Sequence, residues 1–355
     1  MATLEQGVGA DVYAARIVRT LNDGFITLMM SIGHRTGLFD TLSTLPPSTS
    51  AQVAEAAGLD ERYVREWLGA MTTGRIIEFD SATATYSLPV EYAAVLTRAA
   101  GPNNLATAAQ FLPLLGAAEE QVVAAFRNGG GVHYEQFARF HEVMADERAK
   151  SVGPESVEAI LALMPGMREK LVAGAEVLDV GCGRGRMMNV MAAMFPASMF
   201  RGYDLSAEAI AAAREEADER GLRNTGFEVV DVAELHEPRS YDLITALDAI
   251  HDQAWPTKVL QNVAAALRPD GVFMMQDIAA SSQLQQNVGH PFAPMLYTIS
   301  TMHCMTVSLA FDGEGLGTMW GEERARQMLA DAGFTSFVFE RLETDPVNYY
   351  CIARP

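Results

Sequence analysis

With 355 residues and a hydrophobic fraction of 49%, the chain exceeds what one core usually serves, so we expect a globular protein of two domains. Its 45 acidic side chains outnumber the 26 basic ones, and the formal net charge of −19 argues against nucleic acid and anionic membranes as main partners. A small-molecule partner is compatible with this charge because pocket electrostatics are local.

The sequence shows no targeting or disulfide signal. Its beginning lacks the basic stretch, apolar run and cleavage site of a secretory signal, and its apolar segments there are too short to span a bilayer. The three cysteines, Cys182, Cys304 and Cys351, are widely spaced and form neither a disulfide framework nor a zinc pattern. We expect a cytoplasmic protein, and the sequence predicts no metal site.

The N-terminal region, 1–100, is predicted to be helical with a winged helix. Helical periodicity runs from Asp11 to about Leu38, with a break expected at 22–24. Ser50 and Asp60 are predicted to cap two short helices. The second helix carries an apolar stripe of Tyr63, Val64, Trp67, Leu68 and Met71. Two short apolar runs, 76–79 and 85–88, then predict the hairpin of the wing.

The charge of this winged helix argues against DNA binding. Between residues 48 and 90 there are three basic side chains (Arg62, Arg65 and Arg75) and six acidic ones (Glu55, Asp60, Glu61, Glu66, Glu78 and Asp80). A helix that binds a DNA groove needs the opposite balance. We therefore expect the domain to serve dimerisation or to cover a substrate.

The rest of the chain predicts a helical connector followed by an α/β domain. Residues 101–174 have a helical pattern, broken at the triple glycine 129–131. From residue 175 to 355, short β-rich runs alternate with helical stretches, which predicts a Rossmann-like, doubly wound sheet of seven strands. Two antiparallel strands are expected at its C-terminal edge, and 278–319 is expected to be an insertion that covers the substrate.

A glycine-rich turn after the first strand of this sheet is the most informative motif. Asp179, Gly181, Gly183 and Gly185 alternate with other residues between a buried strand and a helix. Glycines let the backbone approach a ligand closely, and a helix N-terminus suits a carboxylate or phosphate. A dinucleotide-binding fingerprint needs a glycine at position 186, which is Arg186 here.

Two further acids follow successive strands. Asp204 lies 21 residues beyond Gly183, where a carboxylate can accept hydrogen bonds from both hydroxyls of a ribose. Asp231 follows the third strand. Both acids could instead cap helices. Three acids in register at strand ends favour a nucleoside site.

The fourth predicted strand, 241–247, leads into Asp248, His251 and Asp252. Because ligands of open α/β sheets bind at the carboxyl ends of the strands, His251 is expected close to the reacting group. Its unperturbed pKa of about 6.5 suits a general base. The alternative is a structural histidine bonded to a backbone carbonyl.

The glycine turn resembles motif I of class I S-adenosylmethionine (SAM)-dependent methyltransferases. The chain from about residue 20 onward is similar to bacterial members with an N-terminal winged helix, including a mycobacterial subgroup, through segments 61–68, 248–253 and 302–305. The resemblance implies a SAM-binding enzyme that forms S-adenosylhomocysteine, methylates a small-molecule acceptor and is a homodimer. His251-Asp252 resembles the His-Asp pair of natural-product O-methyltransferases, in which that histidine deprotonates the acceptor. Gln253 stands where plant-type enzymes usually have tryptophan.

The same resemblance places the cofactor at the strand ends. The glycine turn is expected to wrap the methionine part of SAM, Asp204 to bind its ribose, and Asp231 and Val232 to contact its adenine. The predicted cofactor-binding residues are Asp179, Gly181, Cys182, Gly183, Asp204, Leu205, Asp231, Val232 and Leu247.

The substrate pocket is predicted from two other segments. A helix at 295–309 places Tyr297 and Cys304 on one face and His303 on another, and Tyr297 and His303 are pocket candidates. Tyr134 and His133 follow the triple glycine and are further candidates. Core packing is the alternative for His303.

Three other functions remain open. Asp248 and Asp277 at strand ends suggest a Mg²⁺-dependent methyltransferase of the catechol type, although Ile278 replaces the expected asparagine. A SAM-binding winged-helix regulator would need a basic surface. A non-methylating relative, such as a decarboxylase or hydroxylase, would give a product without an added methyl group.

Overall fold

The computed structural model describes residues 9–355, which divide into two compact units, 9–114 and 115–355. The boundary lies within the segment that the sequence predicts as a helical connector. Each unit has its own core.

The first unit is helical apart from one hairpin. Its elements are α1 (Ala10–Thr36), α2 (Leu38–Thr44), α3 (Ser50–Ala57), α4 (Glu61–Thr73), β1 (Glu78–Asp80), β2 (Thr85–Ser87) and α5 (Val90–Leu96), with α6 (Phe111–Gly116) at the boundary. Helix α1 is continuous, so the break expected at 22–24 is wrong. It ends at Gly37, whose φ of +74° lies in the left-handed region that favours glycine.

Helices α3 and α4 and the β1–β2 hairpin form the predicted winged helix. Asp60 caps α4 through the backbone N–H groups of Arg62 and Tyr63, whereas α3 is capped by Thr49 and not by Ser50. Four of the five predicted stripe residues of α4 are buried, namely Val64, Trp67, Leu68 and Met71. Tyr63 is 80% exposed, because it lies outside the buried face that the other four share.

The second unit contains the large sheet and most of the helices. Its helices are α7 (Glu119–Asn128), α8 (Phe140–Ser151), α9 (Pro154–Ala162), α10 (Met167–Ala173), α11 (Arg186–Met194), α12 (Ala207–Glu219), α13 (Pro256–Ala266), α14 (Leu284–Asn287), α15 (Ala293–Ile299), α16 (Met305–Ala310) and α17 (Gly321–Asp331). Its strands are β3 (Glu176–Val180), β4 (Met199–Asp204), β5 (Thr225–Val229), β6 (Tyr241–Leu247), β7 (Leu267–Ile278), β8 (Ser336–Leu342) and β9 (Asp345–Arg354).

The seven strands lie in the order β5-β4-β3-β6-β7-β9-β8. Strands β3 to β7 are parallel, and β9 runs antiparallel to both β7 and β8. This confirms the predicted seven-stranded sheet and its antiparallel edge. Strand β3 has β4 on one side and β6 on the other, so the direction in which the chain adds strands reverses at β3. Open α/β sheets bind ligands in the crevice at such a point.

Both faces of the sheet are buried, as is typical of parallel strands. Along β3, Val177 packs into one apolar core and Leu178 and Val180 into the other, since neighbouring side chains point to opposite faces. Asp179 is a buried acid within this strand. The sheet is therefore a rigid support for the residues at its carboxyl edge.

Within residues 9–355, no helix is both long and apolar enough to cross a bilayer.

Candidate active site

The glycine turn after β3 needs glycine at specific positions. Gly181, Gly183 and Gly185 have φ values of +69°, +52° and +69°. A Cβ on Gly181 would lie 2.7 Å from the Cβ of Ala249, and one on Gly185 would meet Phe227. A Cβ on Gly183 would meet no atom of the described chain within 4 Å. Neighbouring side chains therefore pack closely against the turn at Gly181 and Gly185, whereas the space beside Gly183 is open.

Asp204, at the end of β4, is bonded directly to this turn. Its Oδ2 accepts a hydrogen bond of 2.8 Å from the backbone N–H of Gly183. The N–H groups of Gly181 and Cys182 donate to the carbonyl of Tyr203 at 2.8 and 3.1 Å. Leu205, the next residue after Asp204, is 59% exposed. The structure thus brings the predicted ribose-binding acid and the predicted methionine-binding turn together.

Asp231 caps a short 3₁₀ turn after β5. Its Oδ1 accepts from the N–H of Ala233 at 2.9 Å, while the side chain itself is exposed. Val232 is buried in the apolar core, which leaves its role beside an adenine ring a prediction. The capping role is present, and the exposed carboxylate keeps acceptor capacity for a ligand.

Asp179 and Leu247 connect β3 to β6. The Thr245 hydroxyl donates to Asp179 at 2.6 Å. Burial raises the pKa of Asp179 to about 7, against the opposing effect of the Thr245 hydroxyl and Arg148. The carbonyl of Leu247 accepts from Arg148 at 3.1 Å. Asp179 lies under the glycine turn as a partly protonated acid at neutral pH.

Asp248 begins the segment that carries His251 and has a left-handed backbone, with φ of +50°. Arg148 and the Gln276 amide donate to its carboxylate at 2.8 and 3.1 Å. Burial raises its pKa to about 6. The two acids considered as Mg²⁺ ligands therefore have other partners, since Asp248 pairs with Arg148 and Asp277 with His251. These contacts disfavour the catechol-type alternative.

His251 is held between two carboxylates. Its Nδ1 lies 2.8 Å from Oδ1 of Asp277, which is fully buried at the end of β7, and its Nε2 lies 3.1 Å from Oδ1 of Asp252. Although burial lowers the pKa of His251, the charges of Asp277 and Asp252 outweigh it and raise the pKa well above its usual value. The imidazole is thus oriented by Asp277 and stabilised as a cation by both acids.

Sequence reasoning misses Asp277 as the partner of His251, because it treats this acid only as a metal ligand. The available signal is its position: strands β6 and β7 are neighbours, with Leu247 opposite Gln276. Asp277, near the end of β7, therefore lies beside the turn that follows β6 and carries His251.

Tyr134 and His303, both predicted for the pocket, belong to one ring cluster. His303 stacks on Phe140 with ring centroids 3.7 Å apart, and Phe137 and Tyr134 meet it edge-on at 4.7 and 5.2 Å. His141 stacks on Tyr134 at 5.1 Å. Sequence reasoning misses Phe137, Phe140 and His141, because they are far along the chain from the helix that carries His303.

His303 is chemically unusual in this ring cluster. It is fully buried, and neither ring nitrogen has a hydrogen-bond partner within residues 9–355. Burial lowers its pKa to about 4, so the ring is neutral. Burial, and after it the charges of Asp252 and Asp204, raise the pKa of Tyr134 well above its usual value.

The predicted helix at 295–309 is not one regular α-helix. Residues Ser300–Cys304 form a π-helical turn between α15 and α16. The extra residue in a π turn shifts the faces, and such turns are frequent at functional sites. His303 and Cys304 are both buried, and their placement on separate faces stays a prediction.

The other two pocket candidates lie elsewhere. Tyr297 packs in a small apolar cluster with Ile278 and Met319, and its hydroxyl accepts from Asn287 at 3.2 Å. His133 is exposed and meets Phe311 edge-on at 5.1 Å. Their pocket roles remain predictions.

Comparison with known families identifies both units. Residues 24–98 match the Rv2258c-like winged helix–turn–helix domain, and residues 171–333 match a methyltransferase domain.

Among curated relatives, the chain is 33% identical over 111 residues to a ubiquinone biosynthesis O-methyltransferase of Actinobacillus pleuropneumoniae serotype 5b, a match that covers 30% of this chain and 46% of that protein. The chain thus spans less than half the length of the curated relatives that it matches.

Among solved structures, an O-methyltransferase family protein from Burkholderia thailandensis superposes with a TM-score of 0.69 at 15% identity, covering 98% of each chain. Human N-acetylserotonin methyltransferase in complex with SAM superposes with a TM-score of 0.64 at 17% identity, covering 100% of this chain and 99% of that one. At these identities the likeness concerns the fold. The chain therefore carries an Rv2258c-like winged helix–turn–helix domain at residues 24–98 and a methyltransferase domain at residues 171–333.

Proposed function

We propose that this protein transfers the methyl group of SAM to a hydroxyl group of a small molecule, with His251 as the general base. The observation that carries the proposal is the buried Asp277–His251 pair at the carboxyl edge of the sheet, beside an open glycine turn. Solved neighbours of the same fold include a complex with SAM, and the matched curated relative is an O-methyltransferase.

The residues at the strand ends fit a nucleoside with an amino-acid tail. Gly183 leaves room for a ligand, Asp204 is adjacent to it, and Asp231 is exposed after the next strand. Asp204 would bind the ribose hydroxyls and exchange its bond to Gly183 N–H for them. SAM supplies an already activated methyl group when bound. The protein must therefore align the acceptor and remove its proton.

His251 has the arrangement that proton removal needs. Asp277 accepts the Nδ1 hydrogen and thereby leaves Nε2 to take the proton of the acceptor hydroxyl. Oδ1 of Asp252, 3.1 Å from Nε2, then stabilises the imidazolium that forms. Because the two acids raise the pKa of His251, the imidazole is a strong base that is available above neutral pH.

The ring cluster around His303 is the proposed acceptor pocket. Tyr134 and His303 come within range of the Asp252 charge, and the buried nitrogens of His303 lack protein partners among the described residues. An acceptor with polar substituents would supply those partners. A hydroxyl acceptor is favoured over a thiol or an amine by the strength of the base and by the O-methyltransferase relative.

Transfer of a labelled methyl group tests the proposed function. The purified full chain, given SAM with an isotopic label in its methyl group and a panel of hydroxylated, thiol and amine small molecules, should yield a hydroxyl compound that gains one labelled methyl by mass spectrometry. A product formed without the label, as a decarboxylase or hydroxylase would give, or label on nitrogen or sulfur alone, would contradict the proposal.

Replacing Asp204 by alanine should weaken SAM binding before it affects turnover at saturating SAM. Loss of the charge-assisted hydrogen bonds to the ribose is expected to raise the Kd by about 10- to 100-fold. Asp218→Ala, an exposed acid on α12, is the matched control and should leave the Kd unchanged. An unaltered Kd in Asp204→Ala would remove the ribose assignment.

The proposal includes a cytoplasmic homodimer that forms through α1. Four residues spaced by four along α1, Tyr13, Ile17, Leu21 and Phe25, are between 51% and 66% exposed. A continuous apolar stripe of this kind typically marks an interface. The free cysteines Cys182, Cys304 and Cys351 fit a reducing compartment.

Charged residues on this stripe should separate the dimer. The double variant Leu21→Asp and Phe25→Asp is expected to sediment as a monomer, because two carboxylates cannot be buried without partners. Asn22→Asp, an exposed position outside the stripe, should remain dimeric. A monomeric wild-type chain in analytical ultracentrifugation would contradict the dimer proposal directly.

A further inference from the structure

Three potential metal ligands of different chemistry meet beside the proposed base. A ring nitrogen of His251, a carboxylate oxygen of Asp252 and the Sγ of Cys304 all lie within 4.8 Å of one another. His251 and Cys304 are buried and Asp252 is partly buried. We propose that His251, Asp252 and Cys304 form a site for a transition-metal ion of the Zn²⁺ and Co²⁺ class, and that this ion, when bound, inhibits the enzyme.

The spacing is close to that of a tetrahedral metal centre. Zinc bonds of about 2.0–2.1 Å to nitrogen, about 2.0–2.2 Å to oxygen and about 2.3 Å to sulfur put neighbouring ligand atoms roughly 3.3–3.6 Å apart. The 3.1 Å between Nε2 of His251 and Oδ1 of Asp252 is slightly shorter than this range. The other two pairs of ligand atoms lie within 4.8 Å, so metal binding would draw them together by at most about 1.2–1.5 Å.

The surroundings of His251 also match those of a metal ligand. A histidine that binds metal through one nitrogen usually donates the hydrogen of the other nitrogen to a carboxylate. Asp277 provides this contact at 2.8 Å from Nδ1. In addition, the buried Oδ1 of Asp252 makes no well-aligned hydrogen bond to a described residue, and a metal ion bound between it and Nε2 of His251 would replace the ion pair that joins them.

The donor set selects the kind of ion. One nitrogen, one oxygen and one sulfur suit zinc and cobalt, whereas magnesium prefers oxygen ligands alone. Three protein ligands leave a fourth position for water or for the acceptor oxygen. Burial raises the pKa of Cys304 to about 12, so the thiol is protonated without metal. Binding releases the thiol proton and the proton on Nε2 to the buffer, and the sulfur binds as a thiolate.

Inhibition rests on the proposed function, whereas metal binding does not. A metal on Nε2 of His251 takes the lone pair that would otherwise accept the proton of the acceptor. Turnover should therefore fall as the site fills, and a chelator should restore it. The site differs from the catechol-type arrangement, because neither Asp248 nor Asp277 is a ligand in it.

Cobalt spectroscopy on the full chain tests the site without reference to activity. After treatment with a chelator and its removal, titration with Co²⁺ should give one ion per chain and a near-ultraviolet thiolate-to-cobalt charge-transfer band. Cys304→Ala should lose the band, and Cys351→Ala, a matched buried cysteine on β9, should keep it. Asp277→Asn should keep the band but raise the Kd for Co²⁺ by about 10- to 100-fold.

The outcomes separate the two proposals. No saturable band in the wild type, or a band that survives in Cys304→Ala, overturns the metal site while leaving methyl transfer intact. A band in a protein that transfers no methyl group supports the metal site and retires only the inhibition and the proposed function. If circular dichroism shows that Cys304→Ala is unfolded, Asp252→Asn replaces it and should weaken cobalt binding by at least about tenfold.

Discussion

Replacing His251 by alanine is expected to lower kcat by about 10²- to 10⁴-fold, the usual contribution of a general base. Affinity for SAM should change little, because the predicted cofactor contacts lie at Asp204, Asp231 and the glycine turn. The acceptor proton would then have to leave without a positioned imidazole. His236→Ala, an exposed histidine in the same domain, is the matched control and should retain full turnover.

Assays of methyl transfer at saturating SAM and acceptor measure the fall in kcat. Calorimetry measures the SAM affinity of each variant. Because His251 is buried between Asp277 and Asp252, its removal leaves two acids without a cationic partner, and thermal unfolding must show that the variant is folded. A folded variant with unchanged turnover would retire His251 as the base. A loss confined to SAM affinity would do the same.

Replacing Asp277 by asparagine is expected to lower kcat by up to about 10⁴-fold, as an amide in place of an orienting carboxylate favours the wrong tautomer. Asp277 is a positioning residue in this scheme, because it acts through Nδ1 of His251 and not on the acceptor. Its fully buried side chain makes this contact well defined.

The pH profile distinguishes positioning from a general effect on folding. The base works as neutral imidazole, so kcat/KM of the wild type should rise with pH through the raised pKa of His251. An amide carries no charge, so the Asp277→Asn variant should have a lower His251 pKa, and its rise should shift to lower pH, at a lower plateau. Asp218→Asn should reproduce the wild-type profile. A profile that keeps its position while the rate falls would contradict the orienting role.

Local signals of high specificity predicted the fold well. Asp60 caps α4 as expected, and the strand predicted at 241–247 matches β6. The alternation of strands and helices is sufficient to predict the seven-stranded sheet. Parallel strands are buried on both faces, so they stand out in the sequence as short apolar runs between the helices. The break expected near Gly24 is absent because one glycine weakens a helix by only about 1 kcal/mol, which the rest of a 27-residue helix can outweigh.

The sequence predicts those site residues that directly follow a strand along the chain. It does not predict contacts that depend on which strands and helices are neighbours in the fold. Asp204 and the glycine turn follow their strands directly, and the structure joins them by one hydrogen bond. The Asp277–His251 pair, in contrast, needs the neighbour relation of β6 and β7. The π turn at Ser300–Cys304, which contains the buried His303 and Cys304, has no simple sequence signal.

Calorimetric titration of the purified full chain with SAM and with S-adenosylhomocysteine tests the central claim most directly. The proposal predicts one saturable site per chain for each compound, with the affinity lowered in Asp204→Ala and kept in Asp218→Ala. No heat of binding for either compound, or saturable binding of a nicotinamide dinucleotide in their place, would contradict it.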